Sequence, residues 1–130
     1  MDLCGQVIEE AKAGNVLLIT SALTLTEVLM NRGKPPIPIE DAKKVQDFFQ
    51  HEWIVVRELD RGTAEEARDV VWNHGVPPKD AIHVATALRV HAYSPLEQLD
   101  TFDEDDLWPL SEKLGEPPLK IGPPDLGKLF

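Results

Sequence analysis

Two short apolar runs, residues 16–20 (VLLIT) and 53–59 (WIVVREL), constrain this chain more than any other feature of it. Each is too short for a core helix and is bounded by turn residues, so each reads as a buried strand. Helical patterns lie between them, and a strand covered by helices belongs to a parallel sheet. The remaining segments extend the alternation. Residues 3–14 place Leu3, Val7, Ile8 and Ala11 on one helical face, with Gly14 and Asn15 as the stop. Ser21 is expected to cap a helix running to about Arg32. The prolines of residues 33–38 (GKPPIP) then force a loop. A helix over 39–50 is expected to bury Ala42, Val45, Phe48 and Phe49. Thr63, with Glu66 three residues on, reads as a capping box opening a helix that Gly75 ends.

Pro77 and Pro78 introduce a helix over 79–91 whose apolar residues run most of the way round, so it is expected to be central and buried. Residues 96–100 read as a strand, 108–114 as a short helix and 119–121 as an edge strand. The expected fold class is therefore α/β: a three-layer α/β/α sandwich around a short parallel sheet. It would form one domain over residues 1–122, followed by an irregular Pro- and Gly-rich tail over 123–130.

Composition narrows the function. The chain has 130 residues, one domain's worth, with 13 Lys and Arg against 23 Asp and Glu, a net charge of −10. That balance opposes broad adhesion to nucleic acid but leaves room for a small acidic site. No apolar run approaches the ~20 residues of a membrane helix. The single cysteine, Cys4, cannot form an internal disulfide and reads as a small buried residue, so a cytoplasmic protein is expected. Trp53, Trp72 and Trp108 read as core or partner-facing anchors.

Three carboxylates stand out. Glu27 lies at the border of an apolar helical face directly after a strand, where a carboxylate is costly unless solvated, paired or metal-bound. Asp80 stands in the first turn of the most apolar helix, and Asp103 follows the strand at 96–100. Singly, each has an ordinary reading: a border residue reaching water, a favourable partner of a helix dipole, a solvated acidic loop. Together they could converge at the carboxyl ends of parallel strands, where sites form in such sheets. Clustered carboxylates are tolerated best around a hard cation, and Mg²⁺ or Mn²⁺ suits oxygen ligands. The four histidines match no zinc spacing, and His51-Glu52 lacks the second His of HExxH. His83, three residues after Asp80, could approach the acids but reads first as a helix-surface residue.

The stretches TSALTLTEVL, PKDAIHVATAL and LDTFDEDDL, in this order, resemble three acidic motifs of the PIN domain family. The resemblance runs from about Cys4 to Ile121. It implies a Mg²⁺- or Mn²⁺-dependent endoribonuclease, of the kind that serves as a VapC-type toxin in toxin–antitoxin pairs. It implies Glu27, Asp80 and Asp103 as catalytic metal-site acids and Asp106 as an outer one. Ser21 and Thr101 would be supporting polar residues. The implied partners are an RNA substrate, an antitoxin protein and a second copy in a homodimer, with no membrane. Lys34, Lys79 and Arg89 are candidates for RNA contact.

The family also opens with a central strand ending in an Asp, and nothing here matches it. Asp2 precedes a helix and does not fill the role. The first central strand is therefore expected to be absent, through truncation, natural degeneration, or a sheet that is completed by another chain or rearranged. Degeneration would make the chain a non-catalytic PIN-like interaction module. An unrelated α/β interaction domain with merely superficial acids is a third reading.

Overall fold

The computed structural model describes residues 3–27 and 38–124. Asp2, Lys34, the side chain of Cys4, most of the loop expected at 33–38 and the tail beyond Pro124 lie outside what it describes. Helix α1 (Leu3–Lys12) leads to β1 (Leu18–Ser21) and to α2 (Thr24–Glu27); the part of the expected helix from residue 28 to Arg32 lies outside the described residues. Helix α3 (Ile39–Phe48) precedes β2 (Ile54–Arg57). Two longer helices follow, α4 (Arg61–His74) and α5 (Pro78–Tyr93). The chain closes with β3 (Leu99–Asp100), a 3₁₀ turn at Trp108–Leu110 and β4 (Ile121–Gly122). The class is α/β with parallel strands, as the alternation of the sequence requires.

The strands do not form one sheet. β1 pairs in parallel with β2, Leu18 opposite Ile54 and Ser21 opposite Arg57. β3 pairs in parallel with β4, Leu99 opposite Ile121. Among the described residues these are two separate pairs. Between them lies a slot of about 500 Å³, lined by residues 16–21 on one side and 96–101 on the other.

The core gathers on α5. Ala81, Val84 and Ala85 have no exposed surface, and Thr86, Ala87, Val90 and His91 are also buried. Small residues on the facing helix, Ala67 with Val70, complete the α4–α5 contact. Leu119, fully buried, and Ile121 close the core from the C-terminal side. His91 is a satisfied core histidine. Its Nδ1 accepts from the Leu96 N–H at 2.9 Å, so Nε2 carries the proton and donates to the Pro117 carbonyl. The last turn of α5 is thereby tied to the segment leading into β4.

Several expected boundaries move, for local reasons. Helix α4 begins at Arg61, two residues before the expected start. Its N-cap is Asp60, whose Oδ1 accepts from both the N–H and the hydroxyl of Thr63 at 2.8 Å. Thr63 thus spends its hydroxyl on Asp60 and is buried inside the first turn, not capping it. At the other end Gly75, at φ 66°, adopts the left-handed conformation that lets its N–H reach the Val71 carbonyl. Ser21 ends β1 and is not a helix cap; its Oγ accepts from the Leu23 N–H at 3.1 Å and turns the chain. Helix α3 has no fully buried residue: Ala42, Val45, Phe48 and Phe49 are half-buried, with Phe48 edge-on to Trp53. The helix expected at 108–114 is only the 3₁₀ turn at Trp108–Leu110. Trp72 is 87% exposed, so it is no core anchor.

Candidate metal centre

Asp80 is the third residue of α5, after Pro78 at the start of the helix. A proline there loses no hydrogen bond and fixes φ, and the helix dipole favours a carboxylate in the first turn. Asp103 and Asp106 come from the loop after β3. That loop is held by its own bonds. The Asp103 N–H donates to Thr101 Oγ1 at 3.1 Å, and the Asp106 N–H donates to Asp103 Oδ1 at 2.9 Å. Trp108 clamps both ends: its indole N–H donates to the Thr101 carbonyl at 2.9 Å and its backbone N–H to the Asp103 carbonyl at 3.1 Å. Thr101 is in turn fixed to β4 through the Gly122 carbonyl, 2.8 Å away.

The result is a carboxylate trio. Asp80, Asp103 and Asp106 each offer an oxygen within 4.8 Å of the others. Asp80 and Asp103 are half-buried, while Asp106 is exposed. The Asp80 carboxyl is pushed above its ordinary range, first by burial, then by the negative charge of Asp103; His83 pulls the other way. Asp106 and a hydrogen bond with Asp103 raise it further. Hard oxygen donors converging on one point, with their repulsion visible in a raised pKa, fit a divalent cation of the Mg²⁺ or Mn²⁺ type.

Glu27 does not join this trio. Its Oε1 lies 2.7 Å from His83 Nε2, one helical turn beyond Asp80 on α5. Glu27 therefore borders the same helix end from the β1 side, with a histidine between it and the acids. His83, expected as a surface residue, is half-buried and engaged. Its i+3 spacing from Asp80, legible in the sequence, is the feature that brings it toward the acids. Ser21 and Thr101 both line the slot beside Asp80. Trp108 went unnoticed as a loop clamp, because a contact seven residues away in an irregular segment leaves no periodic trace.

The basic candidates divide. Lys79 is exposed next to Asp80. Arg89 lies nine residues further along α5, about 13 Å by helical rise, with its guanidinium 3.9 Å from both Asp60 and Glu66. It holds α4 to α5 at a distance from the trio.

A carboxylate trio drawn from a helix start and from the loop after a parallel strand is an arrangement that could hold a divalent cation. The sequence model of the PIN domain matches residues 5–107. The chain belongs to the PIN domain family, a nuclease-type fold whose members are commonly metal-dependent ribonucleases and typically use divalent metal ions. Comparisons with curated proteins and with solved structures give no match. No helix among the described residues is long and apolar enough to cross a membrane.

Proposed function

We propose that the chain is a Mg²⁺- or Mn²⁺-dependent endoribonuclease of VapC toxin type, acting in the cytoplasm and countered by an antitoxin protein. One observation carries the reading: the convergence of Asp80, Asp103 and Asp106 from a helix start and a strand-end loop. The PIN membership supports it at the level of the family. These three acids hold the cation. When bound, a hard divalent cation stabilises charge on a phosphodiester and makes water a better nucleophile near neutral pH.

The chain's own residues do the rest. Thr101 and Trp108 fix the backbone on either side of Asp103, so its carboxylate needs little reordering. Glu27 is the fourth acid of the set, its Oε1 steadied by His83 and positioned to take up a proton at the rim. Ser21 shapes the turn that delivers Glu27 from β1. Lys79 is the basic residue beside the trio that can meet a phosphate.

A second reading has an observation of its own. The net charge is −10, Arg89 is engaged by Asp60 and Glu66, and Glu27 faces His83 instead of the trio. These features favour a non-catalytic interaction module that keeps the acids without the reaction. Incubating single-stranded RNA with the protein and Mn²⁺ separates the two. Cleavage that stops with EDTA and in Asp80→Asn supports the nuclease. Cleavage indifferent to both overturns it, and Mn²⁺-dependent stabilisation without cleavage favours the module.

A further inference from the structure

The loop that supplies Asp103 to the trio also presents an aromatic ring to water. Phe102 is 59% exposed. Exposure alternates along this segment: Leu99, Thr101 and Asp103 are half-buried, while Asp100 and Phe102 are exposed. That is the period of extended backbone, whose successive side chains point to opposite sides. Phe102 is thus turned away from the core. It does not line the slot between the strand pairs, so its exposure does not depend on what fills that slot.

The backbone is pinned on both sides of Phe102. Before it, the Thr101 N–H donates to the Gly122 carbonyl, and the Thr101 carbonyl accepts from the Trp108 indole. After it, the Asp103 N–H donates to Thr101 Oγ1, and the Asp103 carbonyl accepts from the Trp108 N–H. Only the side-chain torsions of Phe102 remain to be fixed on binding, so contact with its ring costs little ordering.

The surroundings decide what the ring can meet. Consecutive Cα atoms lie about 3.8 Å apart, so Phe102 stands directly beside one acid of the trio. Lys79 stands beside another, Asp80, and is exposed. The trio is therefore flanked by a cation from α5 and by an aromatic ring from the loop. On the loop side Glu104 and Asp105 are also exposed. That side repels phosphate, and what it offers a nucleotide is the ring. Every nucleobase has a π face, and stacking on an aromatic side chain needs no cation. Such a contact suits a chain whose net charge is −10.

We propose that Phe102 is a substrate-binding residue whose ring stacks on a nucleobase of single-stranded RNA and so holds the neighbouring phosphodiester at the trio. This rests on the reading of the trio as the metal centre of a ribonuclease. The substrate is unpaired RNA, because a splayed base can offer its face to an aromatic side chain and a base inside a duplex cannot. Stacking tolerates all four bases, so Phe102 selects for unpaired structure more than for sequence.

Binding and cleavage are measured separately on the full chain, so that the stacking and the nuclease reading can fail independently. The binding probe is a short labelled single-stranded RNA, 2′-O-methylated throughout to resist cleavage, beside an abasic strand of the same length, both with Mn²⁺ and followed by anisotropy. Phe102→Ala and Phe102→Leu should bind the RNA roughly tenfold more weakly than the wild type, and Phe102→Tyr about as well. On the abasic strand the wild type and the variants should bind alike. A disturbed fold would weaken binding to both strands, and rescue by Tyr but not by Leu ties the loss to the π face. Wild-type binding of RNA by Phe102→Ala overturns the proposal. So does an equal loss on the abasic strand, or no binding of RNA by the wild type. Binding that depends on Phe102, with unmodified RNA never cleaved, upholds the stacking and removes the nuclease reading. Mn²⁺-dependent cleavage at subsaturating RNA that Phe102→Ala leaves unchanged does the reverse.

Discussion

Asp80 concentrates the site's electrostatics in one residue. Its carboxyl is raised by burial and by the Asp103 and Asp106 charges, so the folded chain holds the Asp80 proton more tightly than the unfolded chain does. The sign follows from linkage. The contribution of this group to stability is complete below its unfolded pKa and is lost as pH rises through the folded one. A cation at the trio takes the proton's place, so Mn²⁺ should stabilise the fold strongly at pH 7 and progressively less on acidification. Melting temperatures with and without Mn²⁺ across that range check it; a shift that grows toward acid would contradict the assignment. Asp80→Asn should abolish the Mn²⁺ shift and raise metal-free stability at pH 7 by about 0.5 kcal/mol, the scale of one like-charge contact near the surface. Glu27→Gln should reduce the Mn²⁺ shift less than Asp80→Asn, because Glu27 faces His83. His91 shows the opposite use of a polar residue. It is 3% exposed and bonded at both ring nitrogens. His91→Ala strands a buried N–H and a buried carbonyl and should cost about 2–4 kcal/mol in chemical denaturation.

At the scale of elements, what the sequence discloses depends on whether an element is stabilised by its own pattern or by its neighbours. The central place of α5 was legible because Ala81, Val84, Ala85 and Val90 leave almost no polar face. The strand pair β1–β2 was legible from short β-branched runs. Of the site, Asp80 and Asp103 could be singled out because a helix start and a strand end each fix a carboxylate's position, and the structure brings them together with Asp106. The Glu27–His83 contact joins residues 56 apart in the chain and has no local signature. Thr63 misled because Thr and Asp are both good caps, and only geometry shows that the Asp60 side chain, three residues earlier, accepts the Thr63 N–H. The C-terminal segment was least legible, since its order comes from burial and not from periodicity. Leu119 itself lies in no regular element, two residues ahead of β4, yet it is fully buried and its N–H donates to the Leu114 carbonyl at 2.8 Å. Leu119→Ala should therefore cost about 3–4 kcal/mol, as for buried leucines generally. A loss under about 1 kcal/mol in urea unfolding would mean that this segment is not part of the core.

For the whole molecule, charge decides how RNA could be held. The excess of 10 negative charges repels a polyanion, and the described structure places few cations near the trio. Arg89 is 3.9 Å from two carboxylates, and Lys79 is the basic neighbour of Asp80. A protein that holds RNA through one or two lysines and a neutralising cation releases few counterions on binding. Single-stranded RNA loses affinity with a log–log salt slope of about −0.7 per phosphate contact. The expected slope for this chain is thus about −0.7 to −1.4, where a protein with a broad basic face would give a value several times steeper. If the trio faces the phosphates, Mn²⁺ should tighten binding at constant ionic strength, because its charge offsets most of that of the three acids. Fluorescence anisotropy with a short labelled RNA, between about 50 and 200 mM salt and with Mn²⁺ added or withheld, measures both effects. A steep slope indifferent to Mn²⁺ would locate RNA binding on a basic surface away from Asp80, Asp103 and Asp106, and the metal centre would then have to serve another ligand.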